Sequence, residues 1–144
     1  MRTISRRTRY ALRALYVLVE TGGGQPLIAA TLAQRSNVPG AFLEGILVSL
    51  TRVGILTSRK GRQRGYALAR AAADISVGQV ITAIGGPIDP LPCLNETFPR
   101  RCDECVGPVS SCQTRALVAQ VRAAASAVLD GTSLADAAAS ASRP

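Results

Sequence analysis

Residues 27–68 read LIAATLAQRSNVPGAFLEGILVSLTRVGILTSRKGRQRGYAL, and their spacing decides the fold. The stretch predicts a short helix from Leu27 to Arg35 and a turn at Ser36-Asn37-Val38-Pro39-Gly40. A longer helix follows from about Ala41 to Arg52, with Phe42, Leu43, Ile46, Leu47 and Leu50 on one face. Ala33 is small where the two helices would touch, and Asn37 tolerates the left-handed conformation of a tight turn. Leu32, Val38, Leu43 and Ile46 supply the apolar positions between the helices. This is the helix-turn-helix outline, although any helical hairpin needs a turn and an apolar stripe. The continuation separates the two. Gly54 closes the second helix, Ile55-Leu56-Thr57-Ser58 reads as a strand, the run from Arg59 to Gly65 as a basic turn, and Tyr66-Ala67-Leu68-Ala69 as a return strand. Such a hairpin is a wing. Its tip carries the cations Arg59, Lys60, Arg62 and Arg64 with Gly61 and Gly65, a composition suited to a phosphate backbone or a minor groove and shared with a merely solvated loop.

Outward from this motif, Ser5 to Glu20 predicts a first helix with Ser5 as N-cap, ended by Thr21-Gly22-Gly23-Gly24 and Pro26. Those glycines follow a helix and not a strand, so they do not form a phosphate-binding loop. Beyond Arg70, Asp74 or Ser76 caps a helix with Val77, Val80, Ile81 and Ile84 inward, closed by Gly85-Gly86-Pro87. A loop rich in proline and cysteine runs to Cys112. From about Thr114 to Leu129 comes a long amphipathic helix whose Leu117, Val118, Val121, Ala124, Ala125 and Val128 are spaced for packing against a partner helix. Thr132 to Asp136 opens a last short helix, and Ala137 to Pro144 is expected to fray. The fold class is mainly α: a winged helix-turn-helix DNA-binding domain over residues 1–72 and a cysteine-loop region with a long helix over residues 73–144.

Composition excludes several classes. At 144 residues the chain is one domain, or a small domain with an appendage, and no large multidomain enzyme. It is 47% hydrophobic but only 3% aromatic, with mean hydropathy +0.20, so a helix-rich core of Ala, Leu, Val and Ile is expected. There is no His, which removes Ser-His-Asp, Cys-His and His-metal chemistry. The net charge of +8 is concentrated in the front of the chain: Met1 to Pro92 holds twelve basic and four acidic residues, while the remainder is neutral. A polyanion-binding module carrying a second module with another task fits that asymmetry. Sixteen of the seventeen cations are Arg, which suits bidentate contacts to phosphate or guanine. Neither end reads as a targeting segment, and no stretch of eighteen uncharged apolar residues occurs, so no membrane partner and a cytoplasmic location are expected. Thiols there stay reduced.

All four cysteines, Cys93, Cys102, Cys105 and Cys112, fall in that one loop with spacing C-x8-C-x2-C-x6-C. Structural zinc prefers two tight pairs and fits poorly. An iron–sulfur cluster tolerates irregular loops, because thiolates fold around a preassembled core, and Pro90, Pro92, Pro99 and Pro108 leave the loop free to wrap. Reduced thiols without metal, or a reversible disulfide switch, remain the alternative.

Arg9-Tyr10-Ala11-Leu12-Arg13-Ala14-Leu15, Phe42-Leu43-Glu44, the wing from Ser58 to Leu68, Ile75-Ser76-Val77-Gly78, the cysteine loop and Thr132 to Asp136 occur in an order that resembles one repressor family over nearly the whole chain. It is the winged-helix family of the iron–sulfur cluster assembly regulator, the nitric-oxide-sensing repressor and the rhizobial iron regulator. The resemblance implies a non-enzymatic transcription repressor, homodimeric through the helix at about 114–129 and bound to a double-stranded DNA operator. Pro39, Gly40, Ala41, Phe42 and Glu44 would then lie at the major groove, and Ser58, Arg59, Lys60, Gly61, Arg62 and Arg64 of the wing at the minor groove. In that position Glu44 can accept a hydrogen bond from cytosine N4. The resemblance further implies an iron–sulfur cluster on Cys93 and Cys112 with Cys102 or Cys105, [2Fe–2S] preferred over [4Fe–4S], sensing iron, redox or nitric oxide status. The chain departs from the pattern where relatives supply a non-cysteine ligand: Arg115 replaces a histidine and Arg9 an acidic residue, so the fourth cysteine is the natural fourth ligand. Gly45 also replaces the usual Gln. A same-fold regulator using a metal-free thiol switch or a bound small ligand, and a small iron–sulfur redox protein, are the other readings.

Overall fold

The computed structural model of the chain describes residues 4–140. Six helices and one hairpin follow in the order α1 (Arg6–Glu20), α2 (Ala29–Ser36), α3 (Gly40–Arg52), β1 (Leu56–Arg59), β2 (Gly65–Leu68), α4 (Val77–Gly85), α5 (Gln113–Asp130) and α6 (Leu134–Ser140). Helix α1 starts where expected, with the Ser5 hydroxyl accepting the Thr8 N–H at 3.1 Å. The turn between α2 and α3 places Asn37 in the left-handed region at φ +53°, the conformation its short polar side chain tolerates. Leu32, Leu43, Ile46, Leu47 and Leu50 are fully buried around that turn.

Several boundaries differ from expectation for identifiable reasons. Leu27 does not begin α2: it exchanges backbone hydrogen bonds with Tyr66, N–H to carbonyl at 2.9 and 2.8 Å, and so adds a third edge to the wing. Gly65 makes this approach possible, since its φ of +135° and the Leu27 carbonyl carbon, 2.5 Å from where a Cβ would sit, admit only glycine. Arg59 and Gly65 lie in the antiparallel strands, paired with each other, and the tip between them is a 3-10 turn over Gly61–Gln63. Ser76 and not Asp74 caps α4, in a capping box with Gln79. Residues 137–140, expected to fray, are helical in α6; residues 141–144 of that expectation lie outside the described residues.

One apolar core extends past residue 72, the expected domain boundary. Ile75, Val77, Val80 and Ile81 join Ala11, Leu15 and Leu18 of α1, and Leu134 of α6 is fully buried in the same cluster. The returning chain is tied in by backbone, with the Leu134 N–H donating to the Ile75 carbonyl and the Val77 N–H to the Thr132 carbonyl, both at 2.8 Å. Helix α5 lies at the edge of this core, touching it through the partly buried Leu129. None of its eighteen residues is fully buried.

Because Leu134 fills the core from the far end of the chain, Leu134→Ala is expected to lower the unfolding free energy by about 2 to 5 kcal/mol. Urea denaturation followed by circular dichroism measures this; a loss below about 0.5 kcal/mol would show α6 to be a surface appendage.

Candidate nucleic-acid interface and thiol site

The first turns of α3 present Gly40, Ala41, Phe42 and Glu44 to solvent, with Pro39 just before them as N-cap. Two cations counted in the basic front half are used to hold this helix. Arg7 donates from Nη2 to the Ser49 hydroxyl at 2.9 Å, and Arg13 donates to the Asn37 carbonyl at 2.6 Å in the turn itself. The Arg13 guanidinium also lies 5.6 Å from the centre of the Tyr10 ring, whose neighbour is Phe42 at 6.1 Å between centroids.

The wing follows α3 after a short connection, and every residue from Thr57 to Arg64 is exposed. Arg59, Lys60, Arg62 and Arg64 take part in no salt bridge among the described residues, where both ion pairs belong to Arg122. Gly61 turns the chain at φ +87°. Four uncompensated cations on a narrow hairpin make a concentrated positive charge, which attracts a polyanion and falls off with salt.

Between α4 and α5 the cysteine loop runs without regular structure apart from single 3-10 turns at Pro92–Leu94 and Val109–Ser111. All four cysteines are free thiols, and all four line one cavity of about 400 Å³. Cys93 is buried at 7% exposure and the others are half-buried. Arg101 straps the loop by donating to the Cys105 and Gly107 carbonyls at 3.1 and 3.0 Å. Cys112 is the N-cap of α5: its Sγ accepts the Arg115 N–H at 3.4 Å, where the unpaired N–H groups of the helix favour negative charge. Desolvation pushes the Cys102 thiol above its usual range, and its neighbours Cys93 and Cys105 push the same way.

The donor set, four thiols on an irregular loop, fits the chemistry of an iron–sulfur cluster. Among the described residues no three Cys, Asp or Glu side chains are grouped to hold a single metal ion. What the four thiols share is the cavity that they line. Arg115 adds no donor. Its Nε is buried without a hydrogen-bond partner among the described residues.

A cluster of polar contacts that the sequence reading missed joins this loop to α5. Arg122 forms ion pairs at 3.4 Å with both Asp89 and Glu96, and also donates to the Leu94 carbonyl, next to Cys93. Asn95 completes the joint, donating to Asp89 at 2.7 Å while its own side-chain oxygen accepts the Thr97 and Phe98 N–H groups. The signal was a lone cation in the middle of an alanine-rich helix.

Comparison with known proteins agrees with this architecture. Residues 4–140 match the Rrf2 family model, described as iron-dependent transcriptional regulator. An rrf2-like helix-turn-helix transcriptional regulator of Rhodobacter capsulatus is 35% identical over 136 residues, covering 92% of this chain and 90% of that protein. Among solved structures, CymR of B. subtilis, described as its global cysteine regulator, is similar with a TM-score of 0.77 at 28% identity, covering 97% of this chain and 98% of that one. IscR of T. potens follows with a TM-score of 0.71 at 27% identity, covering 97% and 88%.

Arg122→Met keeps the length of the side chain and removes its charge and donors. Backbone amide exchange across residues 89–98 is expected to quicken at least tenfold while α1 to α4 keep their protection. Unchanged exchange in the loop would show that the loop holds its position without Arg122.

Proposed function

The chain belongs to the Rrf2 family of transcription regulators, and from that membership we propose a homodimeric DNA-binding repressor whose operator affinity is set by an iron–sulfur cluster on Cys93, Cys102, Cys105 and Cys112. The observation that carries this reading is the single cavity lined by all four cysteines. With no histidine in the chain and Arg at positions 9 and 115, a four-thiolate site needs no other ligand. A cluster held there supplies one-electron chemistry and a dependence on iron supply, so its presence reports iron, redox or nitric oxide status.

The chain's own residues supply the transmission. Cys112 starts α5, and Cys93 adjoins the Leu94 carbonyl that Arg122 of α5 holds. The way the four thiols are gathered therefore bears on α5 at two points. Leu117, Val121, Ala124 and Val128 form one exposed apolar stripe on that helix, spaced as a helix-pairing seam and supporting α5 as the dimer contact. A paired α5 sets the distance between two winged modules, which must match half-sites about one helical turn apart. In each module α3 enters the major groove with Pro39, Gly40, Ala41, Phe42 and Glu44, and the wing from Ser58 to Arg64 follows the minor groove. The expected division into a DNA-binding part before residue 73 and a sensing and pairing part after it is thus one of task, laid over a shared core.

A second reading is a metal-free thiol switch on the same scaffold. It is favoured by the four free thiols on one cavity and by the nearness of Cys93 to Cys102. A small iron–sulfur redox protein does not suit a chain of this family.

One measurement tests the DNA interface common to both readings, and a second decides between the cluster and the switch. Neutralising any one of Arg59, Lys60, Arg62 and Arg64 is expected to weaken binding to all duplexes and to lower the log–log salt slope by about one unit; an unchanged slope would remove the wing from the interface. Protein purified without oxygen is expected to carry iron and sulfide and to absorb visible light. Cys93→Ala, Cys112→Ala and at least one of Cys102→Ala and Cys105→Ala should lose that absorbance together with the change in operator affinity. Iron-free protein that binds its operator normally, and responds to thiol oxidation, would replace the cluster with the switch.

A further inference from the structure

The exposed face of α3 carries no hydrogen-bond donor on its side chains through residue 48. Its exposed residues there are Gly40, Ala41, Phe42, Glu44, Gly45 and Val48, one acceptor among apolar groups. The next hydroxyl, on Ser49, is committed: it donates to the Gly45 carbonyl at 3.0 Å and accepts from Arg7 at 2.9 Å. In the major groove, guanine O6 and N7 and adenine N7 are acceptors, read by Arg, Lys, Asn or Gln. A face without donors has three features left to read. These are the N4 amine of cytosine and the N6 amine of adenine, each of which can donate to a carboxylate, and the C5 methyl of thymine, which apolar groups touch.

Phe42 is placed for the last of these. It is the third residue of α3, in the turn where recognition helices meet base edges, and it is 58% exposed while the core closes without it. One face of the ring has a neighbour. Tyr10 packs against it with centroids 6.1 Å apart and planes tilted by 54°, Arg13 covers Tyr10 from 5.6 Å, and the Asn37 carbonyl holds Arg13 at 2.6 Å. This stack sets an apolar surface in place before DNA arrives, so little side-chain freedom is lost on contact.

We infer that Phe42 is a specificity-determining residue of α3 and recognises the C5 methyl of a thymine in each operator half-site, while the purine acceptors go unread by this face. The inference rests on α3 being the major-groove helix.

The experiment begins with the full-length protein and a random duplex pool, from which the tightest-binding duplex is selected. Each thymine of its half-sites is then replaced in turn by deoxyuridine, which removes only the methyl group. At one thymine per half-site the replacement is expected to weaken binding about fourfold, the effect of leaving one methyl unburied. Phe42→Ala, which truncates an exposed side chain, is expected to bind the thymine and deoxyuridine duplexes equally, and Phe42→Leu to retain part of the difference. Tolerance of deoxyuridine at every position, or a full thymine preference retained in Phe42→Ala, overturns the inference while leaving the DNA interface intact. A pool that yields no preferred duplex overturns the underlying assignment of α3, and the inference with it.

Discussion

Helix α1 buries Ala11, Ala14, Leu15, Val17 and Leu18 at once, and α2, α3, α4, α6 and β2 all pack against it. A chain with 3% aromatic residues has few large side chains with which to fill a core, so many aliphatic residues must meet around one axis. Every functional element depends on that meeting. The turn before α3, the strand that carries the wing and the helix that precedes the cysteine loop are each held because they contribute Leu, Ile or Val to α1. Burial at the far end of the chain belongs to the same constraint, since Leu134 closes the cluster only after α5 has returned the chain to it.

What lies outside the core is held in part by polar contacts, and these set four arginines apart from those of the wing. Arg7 and Arg13 fasten α3, Arg101 straps the cysteine loop, and Arg122 joins that loop to α5. The wing cations have no such partners among the described residues and present their charge to solvent. Net charge alone treats these groups as equivalent. The wing group remains available to a phosphate backbone, while Arg7, Arg13, Arg101 and Arg122 act through the geometry they enforce.

Helix α5 with its loop is the least internally supported part of the fold. An eighteen-residue helix with no fully buried residue, and with Leu117 and Val128 more than 60% exposed, gains little from its own packing. Its position rests on contact with α4 through its last turn, on the Arg122 joint, on the Cys112 cap and on whatever covers its apolar stripe. That combination suits an element whose position is to be changed, because a few polar contacts and a ligand at its start are enough to bias it.

Much of this was legible in the sequence because its causes are local. Helical spacing, the Ser5 cap, an Asn at the left-handed turn and the glycines of a basic hairpin each act within a few residues, and so does the clustering of four cysteines in one loop. Tertiary structure alone decided what depends on distant partners. The bridge of Leu27 to Tyr66 took a residue from α2, the docking of Leu134 carried one core across the expected boundary at residue 72, and Asp89 and Glu96 met Arg122 across the fold. The gathering of the four thiols around one cavity belongs here too: spacing along a loop says which cysteines can meet, but backbone path and anchoring contacts decide what they line.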